Sequence, residues 1–170
     1  MLIPTLSTER LILRAPRPED FEAYARFRAS PRARFVGGPN SRSQAFTQFC
    51  ALFGHWEMRG YGRWIVTDRA TDTPLGLVGT YYPEDWPAPE LAWSMFEGAE
   101  GKGYAFEAAQ AARRFAYETL GWTTAISVVD PANTRSVALA RRLGAQPEGT
   151  HQHPDLGQLA IWRHPAAEAA

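Results

Sequence analysis

The chain has 170 residues, 45% of them apolar and 21% charged, which is an ordinary composition for a globular protein with a buried core. Lysine plus arginine equals aspartate plus glutamate, at 18 each, so the charge balance gives no support for nucleic-acid binding. Cys50 is the one cysteine, which excludes an intramolecular disulfide framework, and no apolar run approaches the roughly 20 residues that span a membrane. We expect a cytoplasmic protein with one domain over residues 1–170, ordered over about 8–163, and a frayed tail after Arg163.

The first third of the chain predicts one strand and two helices. Residues 10–14 are a short apolar run between charges, which favours a strand. Pro18 and two acids suit the first turn of a helix that continues to about residue 30. Ser43 can cap a second helix, which Gly60 ends. The residues at helical spacing that predict a mainly buried face on it are Phe46, Phe49, Cys50, Phe53 and Trp56.

The middle of the chain predicts a hairpin and a third strand. Residues 63–67 and 74–82 are strand-like, and the polar turn between them predicts an antiparallel hairpin. A proline-broken loop follows over residues 83–89. Residues 90–96 then favour a strand, and an alanine-rich helix is expected from about 103 to 120 after a glycine-rich turn.

The last third completes the element order. Residues 124–129 are β-rich, and Asn133 is a strong candidate to cap a helix over residues 134–143. Two final strands are expected over about 146–151 and 158–163. The β–α–β–α run from residue 90 to 143 implies a parallel pair of strands. The predicted fold is therefore α/β, with a mixed central sheet of about seven strands and helices on both faces.

The glycine-rich turn indicates a site for a phosphate-bearing ligand. Gly98, Gly101 and Gly103 allow unusual backbone dihedral angles and the close approach of a ligand. The helix that follows offers unpaired N–H groups and the positive end of its dipole. The segment is neither a Walker sequence nor a dinucleotide fingerprint, because no Gly-Lys-Ser/Thr ends it and Phe106 replaces the third glycine.

Two segments resemble those of a known superfamily. Residues 100–105, Glu-Gly-Lys-Gly-Tyr-Ala, resemble the Arg/Gln-x-x-Gly-x-Gly/Ala motif of the Gcn5-related N-acetyltransferases (GNAT). Residues 130–136, Asp-Pro-Ala-Asn-Thr-Arg-Ser, resemble the Asn-x-x-Ser segment of the branch that acetylates ribosomal-protein N-termini (RimJ/RimL-like). The resemblance extends over nearly the whole chain and agrees with the element order.

The resemblance implies acetyl-coenzyme A as co-substrate, lying between two splayed parallel strands. We expect no metal. Asn133 has two readings, a helix cap and a hydrogen-bond partner of the pantetheine arm. Glu100 stands where the family has Arg or Gln, and a carboxylate there repels a pyrophosphate unless it points away. The implied binding residues are Met95, Phe96, Gly101, Lys102, Gly103, Tyr104, Ala105, Asn133 and Ser136.

Direct transfer to an amine needs a base, an oxyanion donor and a proton for the leaving thiolate. The resemblance makes Glu90 the leading base, although a solvated residue at a strand start is an equal reading and Glu84 or Asp85 can act instead. Many relatives have a tyrosine as acid where this chain has Ala140, and the resemblance offers Ser136 as the substitute. Ser136 can equally be an ordinary capping or solvent-facing residue in the first turn of the helix.

The acceptor is expected to be a small amine or a peptide N-terminus that enters an aromatic and acidic mouth. The residues expected to bind it are Trp56, Trp64, Tyr81, Glu84 and Trp93. The histidines are not spaced as metal ligands. An acyl-coenzyme A-binding module without turnover is the alternative function, and both a monomer and a homodimer fit the sequence.

Overall fold

The strands form one mixed sheet in the computed structural model, which describes residues 2–167. The sheet has the order β1-β2-β3-β4-β5-β6-β8-β7. It holds one strand more than the seven expected, because the two residues of β1 pair with β2. The strands are β1 (Leu6–Ser7), β2 (Leu11–Arg14), β3 (Arg63–Asp68), β4 (Pro74–Tyr81), β5 (Glu90–Met95), β6 (Ile126–Val129), β7 (Gln146–His153) and β8 (Gly157–Arg163).

The predicted pairings are confirmed. β3 and β4 form the antiparallel hairpin, and β5 and β6 are the parallel pair at the centre of the sheet. All other neighbours in the sheet are antiparallel. The parallel pair is short, because Glu90 opposite Ile126 is its one register position in the described chain. The strands therefore separate almost as soon as they meet.

Helices cover both faces of this sheet. On one face, α3 packs through a row of alanines without exposed surface, which lets the helix lie close to the strands. On the other face, α1 and α2 cover Ile65 and Leu77. No helix within residues 2–167 has the length and apolar character needed to cross a membrane. The helices are α1 (Phe21–Ala29), α2 (Arg42–Arg59), α3 (Tyr104–Glu118) and α4 (Thr134–Arg142), with 3₁₀ turns at Pro18–Asp20 and Pro31–Val36.

The predicted start of α2 is wrong by two residues. Ser41, not Ser43, is the cap: its backbone is extended and its Oγ accepts a hydrogen bond from the Gln44 N–H at 3.2 Å. The Gln44 side chain in turn accepts the Ser41 N–H at 2.8 Å. This reciprocal pair is a capping box, and it satisfies two backbone donors at the helix start.

The predicted buried face of α2 is also partly wrong. Ala45, Phe49, Leu52 and Trp56 form the buried stripe. Phe46 and Phe53 are 57% and 40% exposed, and Cys50 is exposed too. The reason is geometric, because the 4-3-4 spacing of the stripe from residue 45 to 56 keeps to one side of the helix. The outer phenylalanines make ring-edge contacts with Phe21 and Phe49 at its border.

The tail after Arg163 is not frayed up to residue 167. His164 is 1% exposed, and its N–H donates to the Ala125 carbonyl at 2.9 Å. The Tyr117 hydroxyl donates to the Pro165 carbonyl at 2.7 Å, and the Ala167 N–H to Thr123 at 2.9 Å. The tail therefore continues the hydrogen bonding of β8, and the His164 side chain lies in the interior. Residues 168–170 lie outside the described part of the chain.

Candidate functional site

The glycine turn, residues 98–103, has an open outer side. Gly98, Gly101 and Gly103 have φ angles of 80°, 73° and 80°, a left-handed region that favours glycine. A Cβ atom built on Gly98 or Gly101 would meet no other atom within 4 Å. The glycines are thus required by the backbone conformation, and the space beside them is free for a ligand.

The start of α3 presents unpaired backbone donors at this turn. Gly103 precedes the helix without a side-chain cap, and the first helical hydrogen bond runs from Glu107 N–H to the Gly103 carbonyl at 3.1 Å. The N–H groups of Tyr104 and Ala105 therefore lack a helical carbonyl partner. With the helix dipole, they favour a bound anion.

Arg10 and Glu107 brace the turn from behind. Arg10 Nη1 donates to the Lys102 carbonyl at 3.0 Å, and Arg10 Nε donates to Glu107 Oε2 at 2.7 Å. Because C=O and N–H point in opposite directions across a trans peptide, this contact directs the Gly103 N–H away from Arg10. Sequence analysis missed this brace, because its two residues are 97 positions apart in the chain.

The departure at Glu100 is compensated by two arginines. Its carboxylate forms an ion pair with Arg32, and Arg135 Nη1 lies 3.7 Å from Glu100 Oε1. Arg32 comes from the 3₁₀ turn after α1, and Arg135 from the first turn of α4. Two positive groups therefore offset the negative charge that would otherwise repel a phosphate beside the turn.

Side chains hold β5 and β6 apart beyond their single register position. The Ser127 hydroxyl donates to the Leu91 carbonyl at 2.6 Å, and the Val128 N–H donates to Glu90 Oε1 at 2.8 Å. A continuous parallel ladder would use these backbone groups to join the strands directly. Their capture by side chains produces the gap between the strands.

The gap exposes one edge of β5. The Phe96 N–H donates to Leu75 on the other side at 2.8 Å, whereas the Leu91 carbonyl faces β6. Backbone groups alternate along a strand, so those of Trp93 and Met95 also face the gap. The Met95 carbonyl accepts Arg32 Nη2 at 3.2 Å, and the Phe96 ring is buried under α1.

His164 completes the support at the closed end of the gap. Its Nε2 lies 2.9 Å from Ser127 Oγ, and its Nδ1 lies 3.5 Å from Arg113 Nη1. Because the Ser127 hydroxyl donates to Leu91, its oxygen accepts from Nε2–H, which assigns the tautomer. Burial lowers the pKa of His164 to about 4, so the ring is neutral at physiological pH.

A cavity of about 690 Å³, called the side cavity below, adjoins the gap on the α1 and α2 face of the sheet. Five predicted site residues contribute to its wall: Tyr81, Glu84, Glu90, Trp93 and Ser136. The structure therefore brings the predicted base and acid to one cavity. Among its other lining residues are Arg28, Gln48, Arg59, Arg63, Trp86 and Asp130.

Trp56 and Trp64 lie elsewhere. They are 1% and 0% exposed, their rings are 5.0 Å apart, and they belong to the core under α3. Their indole N–H groups donate to the backbone carbonyls of Arg63 and Pro4. Both tryptophans therefore have structural partners, and we do not retain them as acceptor-binding residues.

Glu90 is buried instead of solvated. Its side chain accepts Trp86 Nε1 at 2.5 Å as well as the Val128 N–H, and the residue is 5% exposed. Burial raises the pKa of Glu90 to about 7, although both hydrogen bonds act in the opposite direction. The carboxyl group can therefore take up and release a proton near neutral pH.

Ser136 and Asn133 are positioned by hydrogen bonds at the start of α4. Ser136 Oγ accepts the Trp93 indole N–H at 3.2 Å, which leaves its own O–H able to donate. Asn133 Oδ1 accepts the Ser136 N–H at 3.2 Å, so the capping reading of Asn133 is confirmed. The cap uses only the side-chain oxygen, and the Asn133 amide N–H groups can still donate.

Aromatic rings pack around Trp86, the indole that donates to Glu90 in the cavity wall. Trp86 lies 5.8 Å from Tyr81 and from His151, and 5.4 Å from His153, measured between ring centroids. Within residues 2–167, no group of three or more His, Cys, Asp or Glu side chains is arranged to hold a metal ion. His151 and His153 contribute ring packing around Trp86.

Comparisons with known proteins find similar acetyltransferases. A family model described as an acetyltransferase (GNAT) domain matches residues 10–146. YoaA of Bacillus subtilis (strain 168), an uncharacterized N-acetyltransferase, is 30% identical over 155 residues, which cover 87% of this chain and 86% of YoaA. A crystal structure of an acetyltransferase from Agrobacterium tumefaciens has a TM-score of 0.88 and 39% identity, covering 96% of this chain and 95% of that one. RimL, a ribosomal alpha-N-protein acetyltransferase in complex with coenzyme A, has a TM-score of 0.77 and 16% identity, covering 95% of this chain and 98% of RimL.

Proposed function

Because the chain belongs to the GNAT acetyltransferase family, we propose that it transfers an acetyl group directly from acetyl-coenzyme A to a primary amine. One observation carries the proposal: Glu90 and Ser136 line the same cavity, beside the place where β5 and β6 separate. A candidate base and a candidate proton donor would thus share one cavity with the reacting thioester.

The glycine turn and the gap fit the co-substrate. Backbone N–H groups from Gly101 to Ala105 would hold the pyrophosphate, and Lys102 adds positive charge nearby. The gap-facing backbone of Met95 and the free amide N–H groups of Asn133 suit a pantetheine arm. The coenzyme A bound to RimL, which has the same fold, supports this placement.

The proposed chemistry assigns a role to each of these side chains. The Glu90 carboxylate accepts a proton from the substrate ammonium, and the neutral amine attacks the thioester carbonyl carbon. A backbone N–H of β5 that faces the gap donates to the developing oxyanion. A C–N bond forms and the C–S bond breaks. The nitrogen loses its second proton to water, and the departing thiolate takes a proton from water or from the Ser136 hydroxyl, which water then reprotonates.

The acceptor class is a small amine or a peptide N-terminus. Tyr81, Glu84 and Trp93 are the predicted acceptor-binding residues that line the side cavity. Fold neighbours that acetylate ribosomal proteins support an N-terminal acceptor. We place the reaction in the cytoplasm, with the enzyme as a monomer or homodimer.

The proposal is tested by thiol release from acetyl-coenzyme A in the presence of a panel of amines and short peptides. We expect saturable, amine-dependent release. Calorimetry that detects no acetyl-coenzyme A binding at millimolar concentration would overturn the co-substrate assignment. Binding without thiol release from any amine would instead favour the alternative, a module that binds acyl-coenzyme A without turnover.

A further inference from the structure

The inner wall of the side cavity carries a buried positive charge without a carboxylate partner. Arg28, on α1, is 7% exposed, and its guanidinium donates to two neutral oxygens, the Val36 carbonyl at 2.8 Å and Asn40 Oδ1 at 2.5 Å. Its Nε atom is buried and has no hydrogen-bond partner in the described chain. A buried charge without a counter-ion is costly, so its retention in a cavity wall calls for an anion from outside the chain.

A second arginine in the same wall also forms no ion pair in the described chain. Arg63, at the start of β3, lies with its Cζ 4.2 Å from the centroid of the Tyr81 ring. Within residues 2–167 its guanidinium has no hydrogen-bond or ion-pair partner, so its N–H donors are free toward the cavity. Contact with the ring restricts the guanidinium, and its planar group of N–H donors suits a carboxylate in a bidentate geometry.

The acids of the cavity are engaged elsewhere. Glu84 forms an ion pair with Arg59, and Asp130 Oδ1 accepts the Ala132 N–H at 2.8 Å. Glu90 is held by the Trp86 indole and the Val128 N–H. None of the three makes an ion pair with Arg28 or Arg63 in the described chain.

The free guanidinium lies one aromatic ring away from the proposed base. Tyr81 lies under Arg63 and is the cross-strand neighbour of Glu90. Trp86 contacts the Tyr81 ring and donates to Glu90. A short molecule with an amine at one end and an anion at the other can therefore contact both groups at once.

From this arrangement we infer that the acceptor is a small amine that carries a carboxylate, which pairs with Arg63 and Arg28 while the amine faces Glu90. The inference rests on the proposed acetyl transfer and specifies its substrate class. The volume of about 690 Å³ is within the range of small-molecule sites. Sequence analysis predicts an acidic mouth, but Glu84 is paired with Arg59, and the arginines without an ion pair in the cavity wall are Arg28 and Arg63 within the described chain.

The test compares matched acceptors in the thiol-release assay. Each amino acid, including ω-amino acids of increasing length, is paired with its own amide, which keeps the amine and removes the negative charge. We expect a kcat/KM at least about tenfold higher for the acid. The comparison is conservative, because amidation lowers the pKa of an α-amine and leaves more of it neutral. A higher kcat/KM for peptides with an acidic second residue than for free amino acids would identify the acceptor as a protein N-terminus. That result would overturn the small-molecule assignment.

A variant of Arg63 tests whether its charge produces the preference for acid over amide. Arg63→Met should remove most of the preference for acid over amide and leave the KM for acetyl-coenzyme A unchanged. Arg114→Met, an exposed position on α3 on the opposite face of the sheet, is the matched control and should keep the preference. Arg63 makes no hydrogen bond through its side chain in the described chain, so its replacement removes few folding contacts.

The outcomes separate the two proposals. Equal kcat/KM values for acid and amide overturn the carboxylate inference and leave acetyl transfer standing. If no acceptor releases thiol, acetyl transfer fails. Calorimetry of amino acids with the coenzyme A-bound protein then decides the inference on its own. Binding to wild type that is at least tenfold weaker in Arg63→Met supports it, and absence of binding to wild type contradicts it.

Discussion

The glycine turn and the side cavity adjoin the same gap but present different groups to a ligand. At the turn the groups are backbone N–H donors freed by glycines and by the start of α3. In the cavity they are buried side chains, mainly Glu90, whose pKa is raised by burial, and Arg28, which stays a cation. The first arrangement tolerates side-chain changes, because the backbone makes the contacts. The second depends on each charged group.

The difference follows from the chemistry that each region would support. A pyrophosphate is multiply charged in any case, so an array of fixed dipoles is enough to hold it. An acceptor amine must be deprotonated before it attacks, which requires a base whose pKa is near the working pH. Burial beside Trp86 raises the pKa of Glu90 to about 7. The same burial places a titrating group inside the fold, where its ionisation affects stability.

The largest expected effect is on the base. We predict that Glu90→Gln lowers kcat/KM by about a hundredfold or more, because general-base catalysis is lost. Burial raises the pKa of Glu90 to about 7, and the carboxylate is the active form. In wild type kcat/KM should therefore rise about tenfold per pH unit below pH 7 and level off above it. Initial rates of thiol release across pH 5.5–8.5 measure the loss in the variant and the pH profile of wild type.

The matched control for this variant is Glu118→Gln, at an exposed position on α3. It should keep the wild-type rate and the wild-type profile. A Glu90→Gln enzyme that keeps its activity within a few-fold, or retains the break near pH 7, would transfer the role of base to another group. Glu84 and Asp85 are then the next variants to measure.

The same carboxyl group should reduce stability at high pH. The folded state holds the proton up to pH about 7, whereas the unfolded chain loses it near 4.5. Stability that is fully present below pH 4.5 is therefore lost as pH rises to 7, by about 3 kcal/mol. Urea unfolding at several pH values should show this loss in wild type and not in Glu90→Gln. Parallel curves for the two proteins would mean that Glu90 ionises normally.

His164 should act at the opposite end of the pH scale. Its folded-state pKa is lowered to about 4, so the unfolded chain binds a proton from its ordinary 6.5 downward before the folded state does. Stability present above pH 6.5 is lost as pH falls through 4, by up to about 3 kcal/mol. His164→Gln should flatten the acid limb of the unfolding free energy. An unchanged acid limb in this variant would contradict a buried neutral ring.

The two regions also differ in how far sequence analysis could describe them. The glycine turn is contiguous in sequence, so its motif and the start of α3 were predictable. Glu90 could be proposed as base, but its burial could not, because Trp86 covers it from a loop and Val128 binds it from another strand. Arg28 and Arg63 gave no signal, since their free charges become evident only once α1 and β3 enclose one cavity.

Errors in α2 and in the tail have the same origin. An apolar side chain such as Phe46 is compatible with the border of a buried stripe as well as its centre, and only the neighbouring helix decides between them. His164 was assigned to a frayed end because nothing nearby in sequence requires it to be inside. Its partners Ser127 and Arg113 are 37 and 51 positions away.

A smaller effect is expected at the glycine turn. Gly101→Ala forces a side chain onto a residue with φ of 73°, at a cost of about 1 kcal/mol. Because the space beside Gly101 is open, we expect a folded protein whose Kd for acetyl-coenzyme A rises about tenfold while the KM for the acceptor is unchanged. Gly149→Ala, also in open space but without a positive φ, is the control for calorimetry. An unchanged Kd would mean that the turn does not contact the co-substrate.

The smallest effect is expected at Ser136, where the two regions meet. Its hydroxyl accepts the Trp93 indole N–H and is free to donate, but water entering the open gap can also protonate a departing thiolate. We therefore expect Ser136→Ala to lower kcat by only about threefold and to leave the break near pH 7 in place, since Glu90 is untouched. Steady-state rates of Ser136→Ala are compared with those of the control Ser43→Ala, at an exposed position on α2. A hundredfold loss of kcat would make Ser136 an essential acid. Binding and reaction of the co-substrate would then depend on a side chain as strongly as those of the acceptor do.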